Sequence, residues 1–195
     1  MPRRWRLFMT LIIIAPLLIS VVVRSFGWVV LLGPGGMVDR ALSAFGLHEG
    51  GLLYTGAAVS IGMVHVLLPI MIISISSAMN GIDPAVIRAA VNLGASPLGA
   101  LLRVLVPLSI PGVAAGTAIV FSLTSTAFVT PMILGGATRH YMSTLIYQNA
   151  MVTLNFPMGG ALAVMLLVTI LIAVTLITAV FERILFPGVF RAQSR

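Results

Sequence analysis

Apolar residues in this chain run in long, nearly unbroken stretches instead of recurring on one face, and four stretches stand out at about 7–32, 52–79, 108–134 and 158–181. A helix crosses the roughly 30 Å hydrocarbon core of a bilayer with about 20 apolar residues. Each stretch therefore predicts a membrane span, with Pro16 inside the first, Pro69 inside the second and Pro111 inside the third. Such prolines either kink their helices or are absorbed by packing; both readings stay open. A cleaved secretory signal is the competing reading of the Arg-rich start. Its apolar run exceeds the roughly 7–15 residues of such signals and lacks a small-residue cleavage site, so the first span is retained. The expected fold class is all-α, a polytopic transmembrane helix bundle occupying 1–195 as one domain.

The connections carry the remaining pattern. Residues 33–51 are bounded by glycines and predict a short amphipathic helix over 37–45, with Val38, Ala41, Leu42 and Phe45 on one face. Residues 135–157 hold Arg139, His140, Tyr141, Tyr147, Gln148 and Asn149, which suit either docking of a soluble protein or a plain interfacial loop. The segment 80–107 is the most structured by its signals. Asp83 before Pro84 is a helix start, because the carboxylate accepts from free backbone N–H groups and proline at the first position gives up no bond. A helix over 85–93 follows, and Gly94 stands where a left-handed cap needs a residue without Cβ. Ser96-Pro97 repeats the start signal, and a second helix runs through Val104 with Leu98, Leu101, Leu102 and Leu105 on one side, before Pro107. This is a helix, glycine turn, helix element shaped to present its first helix.

Composition narrows the chemistry. Of 195 residues, 59% are hydrophobic and 8% charged, against roughly 25% charged in soluble domains. All 11 basic residues are Arg, so neither a P-loop nor a Schiff-base lysine can be built, and the zero cysteine count removes thiol chemistry and disulfides. Four acids (Asp39, Glu49, Asp83, Glu182) and three histidines (His48, His65, His140) leave little for a catalytic pair or metal cluster. Cytoplasmic loops collect Arg. With the N-terminus inside, eight fall on that side (Arg3, Arg4, Arg6, Arg88, Arg103, Arg183, Arg191, Arg195) against three outside (Arg24, Arg40, Arg139). Both termini are expected in the cytoplasm. The net charge of +7 then needs no nucleic-acid partner.

Arg88-Ala89-Ala90, three residues, Gly94, then nine residues to Val104 and Pro107 resembles the cytoplasmic EAA loop of ABC-importer permeases, E-A-A-x3-G-x9-I-x-L-P. Asp83-Pro84, Leu93-Gly94-Ala95-Ser96, the run from Phe128 to Gly136, Val23-Arg24 with Trp28, and Tyr54-Thr55 with Ile61-Gly62-Met63 are similar to the spermidine/putrescine-type permeases in particular. The resemblance implies a type I importer transmembrane subunit in the bacterial inner membrane. It also implies a cytoplasmic coupling loop at 80–107 whose Asp83, Pro84, Arg88, Ala89, Ala90, Gly94 and Pro107 engage a pair of ABC ATPase subunits. It implies further partners as well, a second permease subunit, identical or paralogous, and an extracytoplasmic substrate-binding protein. The chain itself is expected to bind no cofactor and catalyse nothing; ATP and Mg are used by the partner. The expected cargo is a small hydrophilic solute, a polyamine or related organic cation.

Three departures accompany the resemblance. The family's Glu is Arg88, Val104 and Val106 replace Ile and Leu, and the four spans correspond to the last four of six, as if two N-terminal helices were absent. A truncated or misassigned start is preferred to a genuinely short subunit. A non-transporting remnant, an assembly factor, or an intramembrane hydrolase using His65 are the alternatives. For the translocation route the candidates are His65 in the second span and the hydroxyls of Ser122, Ser125, Thr126 and Thr130 in the third. Hydroxyls that bond their own helix backbone are the competing account. Reversing the sign at Arg88→Glu is expected to change affinity for the ATPase subunit about threefold or more in a pull-down titration. An unchanged affinity would show that this side chain faces away from the partner.

Overall fold

The computed structural model describes residues 3–46, 50–136 and 139–181, and the expectations resting on His48, Glu49, Glu182, Arg183, Arg191 and Arg195 lie outside them. The described residues are helical with no strand, the all-α class expected. They form two compact units: the chain up to Pro69 with Thr124–Val168, and Ile70–Leu123 with the chain from Thr169 onward.

The first unit holds α1 (Arg3–Leu18), α2 (Val21–Leu32), α3 (Met37–Ala44) and the first part of α4 (Gly56–Asn80). It also holds α9 (Val129–Gly135), α10 (Met142–Tyr147) and the start of α11 (Phe156–Ala179), the last preceded by a π-helical turn over Gln148–Val152. The apolar run at 7–32 is thus two helices. Ser20 is extended (φ −50°, ψ 134°), flanked by Ile19 and Val21–Val23, whose branched Cβ atoms weaken helix preference. Breaking there strands the carbonyls that end α1. The Arg24 guanidinium donates to the carbonyl of Pro16 and, at 3.4 Å, to that of Ile19.

Packing in this unit centres on α2 against α9. Leu32 and Leu134 are fully enclosed, and the buried hydroxyls of Ser25 and Thr130 lie 3.4 Å apart across the seam. Gly62 of α4 admits α9 because a Cβ there would stand 2.5 Å from Leu134 Cδ1 and 3.0 Å from Thr130 Cγ2. The α3 helix forms as expected. Of its apolar face Val38 and Leu42 are half-buried and Ala41 and Phe45 exposed, and the buried side chain is Asp39, accepting from the backbone N–H of Gly35 and of Gly51, each at 2.8 Å. Two loop donors hold it there, since buried backbone N–H groups without partners are costly. The segment 135–157 is likewise no simple loop. Its α10 starts with a reciprocal cap between Tyr141 and Thr144, and Ser143 and Thr144 are buried.

The second unit contains the rest of α4, α5 (Pro84–Asn92), α6 (Pro97–Ala100), a π-helical turn over Leu101–Leu105, α7 (Val106–Leu108), most of α8 (Ile110–Thr126) and the end of α11. Gly112 sits directly against Ala78 and, by its missing Cβ, 2.9 Å from the Ser74 carbonyl; Gly116 meets Ser74 in the same way one turn on. Small residues permit such backbone approach where lipid offers no hydrophobic drive for helix association.

Val21–Ala44 (taken across the 33–36 turn), Gly56–Asn80 and Phe156–Ala179 are long and apolar enough to cross a membrane. Pro97–Leu108 with Ile110–Thr126, bent by 52°, is a further candidate as one broken span. Gly112→Leu is expected to destabilise the detergent-solubilised protein by roughly 1–3 kcal/mol through overpacking, read as a lower thermal midpoint. Gly160→Ala, where a Cβ meets nothing within 4 Å, should hold that midpoint or raise it slightly, because alanine is the better helix former.

Candidate functional site

The residues read from sequence as a coupling site share one element, apart from Pro107. Asp83, extended at φ −60° and ψ 122°, caps α5 by accepting from Ala85 N–H at 2.8 Å, and Pro84 opens the helix. At the other end Gly94 has φ +90°, a conformation that a Cβ disfavours. That turn lets Gly94 N–H reach the Val91 carbonyl at 2.9 Å and Ala95 N–H reach the Ala90 carbonyl at 3.1 Å, the paired closing bonds of a Schellman cap. Ser96 then caps α6 by accepting from Gly99 N–H at 3.1 Å. Pro107 lies in α7, beyond α6 and the π-helical turn.

Within its unit α5 packs against α6 and the π-helical turn, and none of its residues is fully buried. Ile87 and Ala90, three apart, are half-buried, while Arg88 and Ala89 are exposed. Val86, 44% exposed, and Val91, 46%, flank that half-buried stripe on its two sides, the side facing away from it carries Ala85, Arg88, Ala89 and Asn92, and Leu93, just past the helix, is 89% exposed. A nine-residue helix is marginal alone; capped at both ends and braced on one side, this one holds its shape while exposing one cation among small and apolar groups.

The route candidates are distributed differently. His65 on α4 is half-buried and accepts at Nδ1 from the Trp28 indole N–H at 3.3 Å, the rings meeting edge-on with centroids 5.4 Å apart. Thr130 is buried in the α2–α9 seam with Ser25. Ser122 donates to the carbonyl of Ala118 at 2.8 Å, along its own helix. Ser125 is half-buried and Thr126 exposed near the end of α8. Thr130 and His65 are thus joined to partners on α2, Ser25 and Trp28, that hydropathy does not single out. Sequence reading also passed over Ser143, whose hydroxyl donates to the Ala127 carbonyl at 2.7 Å in the gap between α8 and α9. Among the described residues no group of three or more His, Asp or Glu could hold a metal ion.

Comparison with known proteins defines the class. The family of binding-protein-dependent transport system inner membrane components matches residues 1–191, and the chain belongs to it. It is 30% identical over 163 residues to the spermidine/putrescine transport system permease protein PotB of Haemophilus influenzae, covering 83% of this chain and 57% of that protein. To the PotB protein of Escherichia coli it is 27% identical over 168 residues, covering 85% and 61%. These matches bear out the resemblance to spermidine/putrescine-type permeases, and the chain spans about three-fifths of the length of those relatives. The fold is that of a bacterial ABC transporter involved in the import of the acidic polysaccharide alginate, with TM-score 0.78 and 22% identity over 94% of this chain and 68% of that one. The chain is accordingly a multi-pass inner-membrane protein.

The Gly94 cap yields a direct test. Gly94→Val forces a β-branched residue into a left-handed conformation that costs about 1–3 kcal/mol, and should abolish solute uptake while leaving membrane insertion intact. Uptake equal to wild type would remove Gly94 from the coupling mechanism.

Proposed function

We propose that the chain is the membrane-spanning subunit of an ABC importer that carries a small organic cation of the polyamine kind inward, with ATP hydrolysed by separate subunits. The observation that supports this most strongly is α5. It is stiffened at both ends, exposed over most of its circumference with Val86 and Val91 among its exposed residues, and followed by a glycine turn, in a sequence without lysine. A helix of that kind, seated in a cleft of an ATPase pair, converts closure of the pair into movement of the helices attached to it. Arg88 on the same helix takes the place of the family's Glu, and this reading calls for a receiving cleft of complementary negative charge.

In this reading the arginine count sets the termini and α5 on the cytoplasmic side. The route is completed by a second permease subunit, and an extracytoplasmic binding protein delivers the solute. The polyamine assignment draws on the relatives' names; the fold neighbour transports a polysaccharide and supports only the architecture.

Photo-crosslinkers at Val86, Val91 and Leu93 in native membranes should capture an ATPase subunit. Spermidine loaded on the binding protein should raise ATP hydrolysis by the reconstituted complex severalfold. Crosslinks that never yield a nucleotide-hydrolysing protein would overturn the coupling role, and stimulation by a neutral or anionic solute in place of spermidine would overturn the substrate.

A further inference from the structure

The four acids of this sequence, Asp39, Glu49, Asp83 and Glu182, lie outside the four apolar stretches. A cation that meets these four stretches within the bilayer finds no carboxylate in them, and recognition by them has to come from other negative potential. Aromatic faces and the carbonyl ends of broken helices are the two sources a lipid-embedded chain has. They coincide at one place in the first unit. The Phe128 and Tyr147 rings stack with centroids 5.0 Å apart and planes 16° from parallel. They line a cavity of about 250 Å³ together with Thr126, Ser143, Ile146, Ala150, Met151 and Leu166.

The cavity's walls are built from helix irregularities. Helix α8 stops at Thr126 and α9 begins only at Val129, which leaves the partial negative charge of the α8 end at the cavity's edge. On the opposite wall, α10 passes at Tyr147 into the π-helical turn that carries Ala150 and Met151; such turns are frequent at functional sites. Gly159 of α11 allows this turn to sit close, a Cβ there meeting the Ala150 backbone N at 3.3 Å. The Ser143 hydroxyl has given its single proton to the Ala127 carbonyl. What it offers the cavity is lone pairs, which match an N–H donor and no acceptor. No wall residue carries a charge of either sign.

We propose that Phe128, Tyr147 and Ser143 form a subsite for the ammonium group of an organic cation, one outer face of the stacked ring pair holding the charge, the second ring backing the first, and the Ser143 oxygen accepting one N–H. The volume accommodates an ammonium head with its adjoining methylenes laid against Ile146, Ala150 and Leu166, and not a bulky sugar ring chain. The inference rests on the organic-cation reading of the importer and assigns that reading its contact residues.

The test uses the complete transporter, reconstituted with its ATPase and binding protein, and measures spermidine uptake. Phe128→Leu and Tyr147→Leu each break the stack, one taking away the ring that holds the ammonium and the other the ring that backs it, and should raise the apparent KM for spermidine about tenfold, as expected for loss of a cation–π contact. Tyr147→Phe, which keeps the face, should stay within about twofold of wild type. Rescue by Phe separates loss of the face from loss of folding. Wild-type spermidine uptake with unchanged KM in both Leu variants would overturn the subsite and leave the importer reading standing. A wild-type complex whose ATPase responds to a neutral or anionic solute and never to spermidine would overturn both. An equal KM rise in Tyr147→Phe and Tyr147→Leu would show that the hydroxyl, not the ring, is what matters, and would overturn the cation–π assignment.

Discussion

Inside a bilayer a helix that stops must have its exposed carbonyls and N–H groups met by protein, because no water is there to meet them. This structure is organised around that constraint. The α1–α2 break is closed by Arg24 on the carbonyls of Pro16 and Ile19, and the α8–α9 break by Ser143 on Ala127. The glycine-bounded loop about α3 is closed by Asp39 on Gly35 and Gly51. Each closure draws a polar side chain out of an otherwise apolar sequence and fixes where it points. The breaks are thereby made stable, and a broken helix that is stable can be used.

The same logic separates the two kinds of functional residue. On α5 the caps are local: Asp83, Ser96 and the Gly94 turn satisfy groups within a few residues of themselves. A helix finished by its own neighbours needs only light bracing, here from α6 and the π-helical turn, to keep its shape, and its apolar Val86 and Val91 are left exposed. In the bundle the satisfying groups are remote, as with Ser25 and Thr130, 105 residues apart, and the helices they join are bound to one another.

Glycine decides how closely those helices come. Gly62 lets α9 lie against α4, and Gly112 and Gly116 let α8 lie against the second part of α4. With apolar side chains gaining nothing by leaving lipid for each other, contact between backbones and short polar bridges carries the association. Phe156–Ala179 shows the contrast, exposing Val164, Leu167, Leu171 and Leu176 to its surroundings.

The residues of α5 were legible because every signal for it is near in sequence: a capping acid, a proline at the first position, a glycine past the last turn. The all-α membrane class was legible because hydrophobic length is a property of composition. The break at Ser20 was not, since the apolar run through it has the same hydropathy on both sides and its stabiliser, Arg24, reaches the Pro16 carbonyl only once the chain folds back. Nor was the burial of Asp39 in α3, whose two N–H donors, at Gly35 and Gly51, come from the loops on either side of the helix. The Phe128–Tyr147 stack likewise joins residues from the end of one expected span and the middle of one expected loop. Sequence alone settled how many long apolar stretches there are, their period and their local stops, because those depend on neighbours along the chain. Only the tertiary structure settled where helices break and which hydroxyls, rings and glycines meet, because an orphaned backbone group takes whichever partner the packing brings within about 3 Å, and sequence distance has no say in that.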